Sequence, residues 1–310
     1  MKIIVFGDRL IDHYKFYKQT RTDPATDDVP VAELLYEHTV DGGAGNLVRN
    51  IESLCDTEVQ FFYSGCFDEP GWISYPTKVR HYVDDTFVLR EDKNDKVEHD
   101  EDAVKACIDC IESEDFVLIS DYHKGSLKLS DIESIKNYCK SKGATLFIDT
   151  NHIWDVHHDI DWLKVNLKTA HDLIKPEWPE ADTRFVAKEV SEITNSNVIV
   201  TTGKEGCVSY MKDLQQTVVV YKDKDKKFVD SIGAGDTFLA GFVSYFMKHR
   251  LGEIPALLYA DVVSHLSVSQ RGTLDVVSVA EANEIHKNAR TFIKEGENNV
   301  LWVHRFIDNV

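Results

Sequence analysis

From about Glu101 onward, short apolar runs alternate with stretches in which apolar positions recur every three or four residues. Phe116–Ser120, Thr145–Asp149, Trp162–Val165 and Asn197–Thr201 are apolar and largely β-branched or aromatic, a pattern that predicts buried strands. Ser130–Lys142 predicts a helix, with Ser130 as N-cap and Gly143 as C-cap. Further helices are predicted over Ala181–Thr194, Gly233–Arg250, Ala256–Leu266 and Val279–Ile293. In the second of these, Phe238, Leu239, Phe242, Val243, Phe246 and Met247 form the apolar stripe. Strands that alternate with helices predict a parallel sheet covered on both faces, a three-layer α/β/α sandwich.

The first hundred residues read differently. Lys2–Phe6 and Val59–Ser64 fit the buried-strand pattern, and Ala44–Leu54 fits a helix. Tyr14–Arg21, Val29–Val40 and Lys78–Arg90 mix polar and apolar positions, so they are too polar for a sheet covered on both sides. They predict a small antiparallel layer with one open face, inserted at about 12–40 and 78–92 of a single 1–310 domain. Phe16, Val31, Leu34, Tyr36, Tyr82 and Val88 are candidates for its apolar side.

Composition narrows the function classes. With 310 residues, 43% hydrophobic and 28% charged, the chain can build a sizeable core and is neither disordered nor low-complexity. Its 35 basic and 53 acidic residues leave a net charge of −18, so neither nucleic acid nor an anionic membrane surface is an expected partner. No apolar run reaches the roughly 18–20 residues of a membrane span. The opening MKIIVFGD reads as a first strand, too short for a signal peptide. Cys107 and Cys110 have metal-like spacing but lie on one face of a helical pattern with no second pair, which favours core packing. His152, His157 and His158 match no ligand pattern. A cytoplasmic protein with reduced thiols is expected.

Chemistry concentrates in DSIGAGDTFLAGF, Asp230–Phe242. At Gly233, Ala234 and Gly235 a chain turning into a helix presents unshielded N–H groups, and the helix terminus adds partial positive charge. The result is an anion hole suited to a transferring phosphoryl group, with Asp236 at its rim as an acceptor for a hydroxyl proton. An ordinary glycine turn with an Asp cap fits this run alone equally well.

The run resembles the C-terminal signature of the ribokinase-like (PfkB) carbohydrate kinases, with the catalytic base at Asp236. FGDRLIDHY (Phe6–Tyr14) and DGGAGNLVRNI (Asp41–Ile51) resemble that family's first strand with its carboxylates and its glycine pair with asparagine. VLISDYHKGSL (Val117–Leu127) and TKVRHYVDDTFVLRED (Thr77–Asp92) resemble the heptose-phosphate kinase branch. KVNLKTAHDL (Lys164–Leu173) is similar to the P-N-x-x-E segment, and VIVTTGKEG (Val198–Gly206) to the nucleotide strand. The resemblance implies a ribokinase-like fold with a β-sheet lid and an ATP- and Mg²⁺-dependent kinase. Magnesium would be held through ATP phosphates and water rather than by direct ligands. Asp8, Asp12, Gly42, Gly43 and Asn46 would contact sugar hydroxyls. Lys124, Arg80 and Arg90 would neutralise a substrate phosphate, and Asn166, Thr201, Gly203 and Gly206 would border the nucleotide. It further implies a homodimer through the lid strands.

Two features depart from the pattern. Thr169 stands where the family carries the glutamate that organises magnesium, with Asp172 three residues on, and only Gly65–Thr77 separates two strands that usually flank a helix and another strand. These departures keep open a non-catalytic sugar or nucleotide sensor on the same scaffold. A dehydrogenase is not expected, because Gly7-Asp8-Arg9 replaces a G-x-G-x-x-G after the first strand.

Overall fold

The apolar runs pair into one long sheet, and the mixed polar runs into a smaller one. The computed structural model describes residues 1–26, 29–68, 72–94, 96–153, 157–174, 181–221, 228–249 and 252–306. In chain order the first half contains β1 (Ile3–Gly7), β2 (Arg9–Thr22), β3 (Pro30–Gly43), α1 (Ala44–Leu54), β4 (Val59–Phe62), β5 (Cys66–Asp68), β6 (Trp72–Ser74), β7 (Thr77–Val83), β8 (Thr86–Lys93), α2 (Glu101–Cys110), β9 (Phe116–Asp121), α3 (Leu129–Lys142) and β10 (Thr145–Thr150). The second half contains β11 (Trp162–Asn166), α4 (Leu167–Ile174), α5 (Thr183–Thr194), β12 (Asn197–Thr201), β13 (Gly206–Met211), β14 (Gln216–Tyr221), α6 (Ala234–His249), α7 (Glu253–Val268), α8 (Val279–Asn288), β15 (Arg290–Glu295) and β16 (Val300–Phe306).

Among the described residues the main sheet has ten strands in the order β15-β16-β14-β13-β12-β11-β10-β9-β1-β4. The run from β4 to β12 is parallel. Beyond β12 the pairing turns antiparallel at β13 and β14. Side-chain alternation splits the core in two. Ile3 and Val5 join α1, α6, α7 and α8 on one face. Ile4 and Phe6 join α2, α3, α4 and α5 on the other. This is the expected three-layer α/β/α arrangement, and Cys107 is buried within the second core.

Three local expectations change. The predicted helix to Ile293 stops at Asn288, and Arg290–Glu295 pairs as an edge strand with β16, where its T-F-I run suits extended backbone. Helix α3 starts at Leu129, one residue before the expected cap Ser130. Asp131 closes the first turn instead, its carboxylate accepting from the Lys128 N–H at 2.7 Å. Its C-terminal stop is the predicted Gly143, at φ +71°. The predicted Gly233–Arg250 helix spans Ala234–His249, and Arg250 lies outside the described residues.

The smaller sheet has the order β3-β2-β7-β8. It is not purely antiparallel, because β2 and β7 run parallel. Its apolar side is only partly covered, and Tyr36 stacks on Phe16 with ring centroids 4.6 Å apart. Tyr14, Phe16 and Tyr82 are buried in one cluster against Leu274, so this part is already covered. Leu34, Tyr36 and Val88, expected on the same apolar side, are about half exposed. β4 is the last strand at its edge of the main sheet, and β5 and β6 form a short hairpin within the shortened segment.

Candidate active site

The C-terminal ends of parallel strands in an open α/β sheet form a crevice. Here that crevice is a cleft of about 940 Å³. Its lining includes Asp121, Asp149, Lys164 and Asn166 from β9, β10 and β11. The expected residues Thr201, Gly203, Gly206, Ala234 and Gly235 line the same cleft.

Helix α6 starts at its wall. Gly233 sits at φ +76°, and a Cβ there would come within 2.6 Å of Thr273 Cγ2 and 2.7 Å of Asn46 Nδ2. No other residue fits that turn. Lys164 was not singled out from the sequence. Its Nζ lies 3.2 Å from where a Cβ on Gly235 would be, and donates to Asp149 Oδ2 at 2.5 Å. The first turn of α6 therefore has a buried ammonium group beside it as well as its own dipole.

Asp236 is 3% exposed. Its Oδ2 accepts from Asn46 Nδ2 at 2.9 Å and its Oδ1 from the Tyr122 hydroxyl at 2.5 Å. Burial pushes the carboxyl up to about 6, against the two hydrogen bonds, which favour the ionised form. Asp149 nearby adds to the rise and Lys164 opposes it. The group is thus poised to take a proton near neutral pH.

The lid presents a row of charges to the same place. Lys78 and Arg80 pair in register with Asp12 and Tyr14 on β2, and with Asp92 and Arg90 on β8. Arg80 Nη1 donates to Asp12 Oδ1 at 2.6 Å in a pair that is almost fully buried. Thr273 Oγ1 donates to Asp12 Oδ2 at 2.8 Å. Burial pulls Lys78 below the usual lysine range, and the like charges of Arg80 and Arg90 act in the same direction. Asp12 and Asp236 act against it. Lys78 was not singled out from the sequence, yet it is a cation whose field Asp236 feels. Arg90 donates to Asp92 at 2.7 Å and remains largely exposed.

Other expected sugar contacts are used inside the protein. Asp8 accepts from the backbone N–H groups of Tyr122, Lys124 and Ser126 at 2.8, 3.0 and 3.1 Å, and so anchors the loop after β9. Lys124 enters through that backbone N–H. The space left by the missing Cβ of Gly42 is taken by the Asp12 carboxylate, and that of Gly43 by Leu10 and the Asp8 carbonyl. Asn166 accepts from the Thr169 N–H at 2.9 Å, and the buried Thr169 hydroxyl donates to the Asn151 carbonyl at 3.1 Å. Thr169 and Asp172 are not among the described residues lining the cleft.

Charged side chains at the ends of three consecutive parallel strands were the signal that could have found Lys164. A lysine in the otherwise apolar W-L-K-V-N run must have a partner when buried, and the register sets Asp149 directly beside it.

Sequence and structure comparisons show what the chain as a whole is similar to. The chain is 27% identical over 326 residues to the "Bifunctional protein HldE" of Nitratiruptor sp., covering 96% of this chain and 68% of that protein. It is 25% identical over 300 residues to the HldE of Acidiphilium cryptum, covering 87% of this chain and 60% of the relative. The chain thus spans roughly two-thirds of the length of these relatives. Among solved structures, phosphofructokinase-2 of Escherichia coli superposes with a TM-score of 0.73 at 15% identity, covering 92% of this chain and 98% of that one. Ribokinase of Thermotoga maritima gives 0.68 at 18% identity, with 93% and 99% covered. Residues 80–280 match the model of the pfkB family carbohydrate kinases. That match takes in the lid arginines, the Asp149–Lys164 pair and the whole Gly233–Asp236 turn, and the chain is therefore a member of the PfkB carbohydrate kinase family.

Proposed function

We propose that this kinase transfers the γ-phosphate of ATP to a hydroxyl of a sugar phosphate of the heptose-phosphate type. The observation that supports this reading best is the row Lys78, Arg80 and Arg90. In a chain of net charge −18, it groups three cations on one part of the lid, with Arg80 and Arg90 bridged to Asp12 and Asp92 and Lys78 within the field of Asp236. Such a row suits a phosphate already carried by the sugar.

Asp236 takes the proton of the attacking hydroxyl. The first turn of α6 and the Lys164 ammonium group hold the charge that develops on the transferred group. Asn46 keeps the Asp236 carboxylate turned toward the sugar. Among the described residues no cluster of three or more His, Cys, Asp or Glu side chains is arranged for a metal. Mg²⁺ would be carried in by the ATP phosphates, with Asp149 and Asp121 on the cleft wall to meet its waters. When bound it neutralises phosphate charge. A cytoplasmic setting, where ATP and reduced thiols are found, fits this chemistry.

The test is ADP release from Mg-ATP with heptose 7-phosphates, fructose 6-phosphate and unphosphorylated ribose, using wild type and Lys78→Met. Turnover with a sugar phosphate, and a KM for it raised about tenfold in Lys78→Met with ATP affinity unchanged, supports the reading. No turnover with any of these, in folded protein that binds ATP, refutes it. Such a result would favour a sensor, the reading that Thr169 in place of the family glutamate suggests.

A homodimer through the lid belongs to the same proposal. Leu34, Leu35 and Tyr36 on β3 and Phe87, Val88 and Leu89 on β8 are each about half exposed, two apolar groups on the outer strands of the lid that call for a cover. A second copy of the lid supplies one of matching shape and character. Light scattering at micromolar concentration should give twice the chain mass, and Leu34→Glu with Leu89→Glu should halve it. A monomeric wild type refutes the dimer.

A further inference from the structure

Asp236 is bonded to a tyrosine to which the reaction above gives no task. Tyr122 directly follows β9, in the loop whose backbone is anchored by three N–H donations to Asp8. With its backbone so fixed, the ring reaches the cleft, and its hydroxyl donates to Asp236 Oδ1 at 2.5 Å. On the other carboxylate oxygen sits Asn46 Nδ2 at 2.9 Å. Two donors from two different elements thus fix the plane of the carboxylate, while a second lone pair on each oxygen is left for a substrate hydroxyl. Lys78 Nζ lies 5.3 Å from the centroid of the Tyr122 ring. A cation there stabilises negative charge on the phenol and makes its O–H a stronger donor.

We propose that Tyr122 is a positioning residue that orients the Asp236 carboxylate and keeps it ionised at neutral pH. This rests on the reading of Asp236 as the proton acceptor. A buried carboxylate without donors takes up a proton and can no longer act as a base. Besides Tyr122 and Asn46, the groups that act on Asp236 or on its tyrosine are Asp12 on β2, Lys78 on β7, Asp149 on β10 and Lys164 on β11. Asp149 and Lys164 are paired with each other and largely offset, as Asp12 is with Arg80. The hydrogen bonds from Asn46 and from Tyr122 are then the main forces acting against burial. Burial and the neighbouring carboxylates push the Tyr122 phenol itself well above its usual value, so it stays a donor throughout the working range.

The experiment titrates Asp236 directly, by carbon NMR of the free protein labelled at its aspartate carboxyls. The signal is assigned by its loss in Asp236→Asn. In Tyr122→Phe the midpoint should rise by about one pH unit. With 3-fluorotyrosine at position 122, a stronger donor of nearly the same shape, it should fall. The fluorinated protein tests the idea even if the phenylalanine variant does not fold. In turnover assays the acidic limb of kcat should follow the same midpoint, and at pH well above it Tyr122→Phe should recover to within a few-fold of wild type. A midpoint that moves in neither variant overturns the proposal. A midpoint that moves while Asp236→Asn turns over normally supports the hold of Tyr122 on the carboxylate and refutes instead the reading of Asp236 as the base.

Discussion

Replacing Asp236 by asparagine should stabilise the fold while it removes activity. Burial makes the folded chain hold the Asp236 proton more tightly than the unfolded chain does, with a value of about 6 in the fold against about 3.9 in an unfolded peptide. Stability from this group is thus lost as pH rises from about 4 to 6 and is level above that. Two units correspond to about 3 kcal/mol, an upper limit for what the ionised carboxylate costs the native state at neutral pH. The substituted side chain carries no charge and can satisfy both neighbours, its carbonyl accepting from Asn46 and its amide donating to a rotated Tyr122 hydroxyl. Urea denaturation of both proteins at several pH values between 4 and 8 measures the difference. The variant should gain on wild type by about 1–3 kcal/mol as pH rises through 6, and its turnover should fall by about 10²–10⁴. A stability difference that does not change between pH 4 and 7 would refute the argument from burial. Undiminished turnover would place the base elsewhere.

Two further substitutions follow from the same geometry. Gly233→Ala forces a Cβ at φ +76° to within 2.6 Å of Thr273. It should cost about 1–3 kcal/mol of stability and weaken ATP binding, both checked by thermal denaturation with and without nucleotide. Arg80→Met leaves the buried Asp12 carboxylate without its cation and should destabilise by about 3 kcal/mol. Adding Asp12→Asn should recover much of that loss, and urea midpoints of the single and double variants will show whether it does.

Local pattern carried far into this fold. Asn197–Thr201 and Ala44–Leu54 are recognisable from composition and periodicity alone, and both elements span those residues in the structure. The turn at Gly233–Gly235 was legible because small residues directly ahead of an apolar helix leave backbone N–H groups bare, a property that depends on no distant contact. What the sequence hid depends on contacts between distant segments. Asp8 looks like a ligand at a strand end, but its carboxylate accepts from three backbone N–H groups 114–118 residues later in the chain. The rooms beside Gly42 and Gly43 look like space for sugar until Asp12 and Leu10 are seen to fill them. Lys78 reads as one more charge on a polar strand, and only the pairing of β7 beside β2 turns it toward Asp236. Arg290–Glu295 shows the opposite error, where helical periodicity was continued past the point at which an edge strand could form.

The bonds of Thr273 have a mechanical consequence. Its hydroxyl donates to Asp12, its backbone N–H donates to the Tyr14 hydroxyl, and Arg49 from α1 clasps the carbonyls of Thr273 and Leu274. The lid is therefore stitched to the body at its root, beside the proton acceptor, and at the turn after β7, where Arg271 donates to Asp85 Oδ1 at 2.7 Å, while the exposed residues Lys18–Thr22 of β2 form its far end. Such a flap flexes like a leaf spring clamped at one end. Travel is greatest at the tip, and the charges nearest the reacting centre hardly move. Amide exchange should grade along β2, slow at Asp12 and fast toward Thr22, and a substrate would slip in under the tip without the root ever letting go.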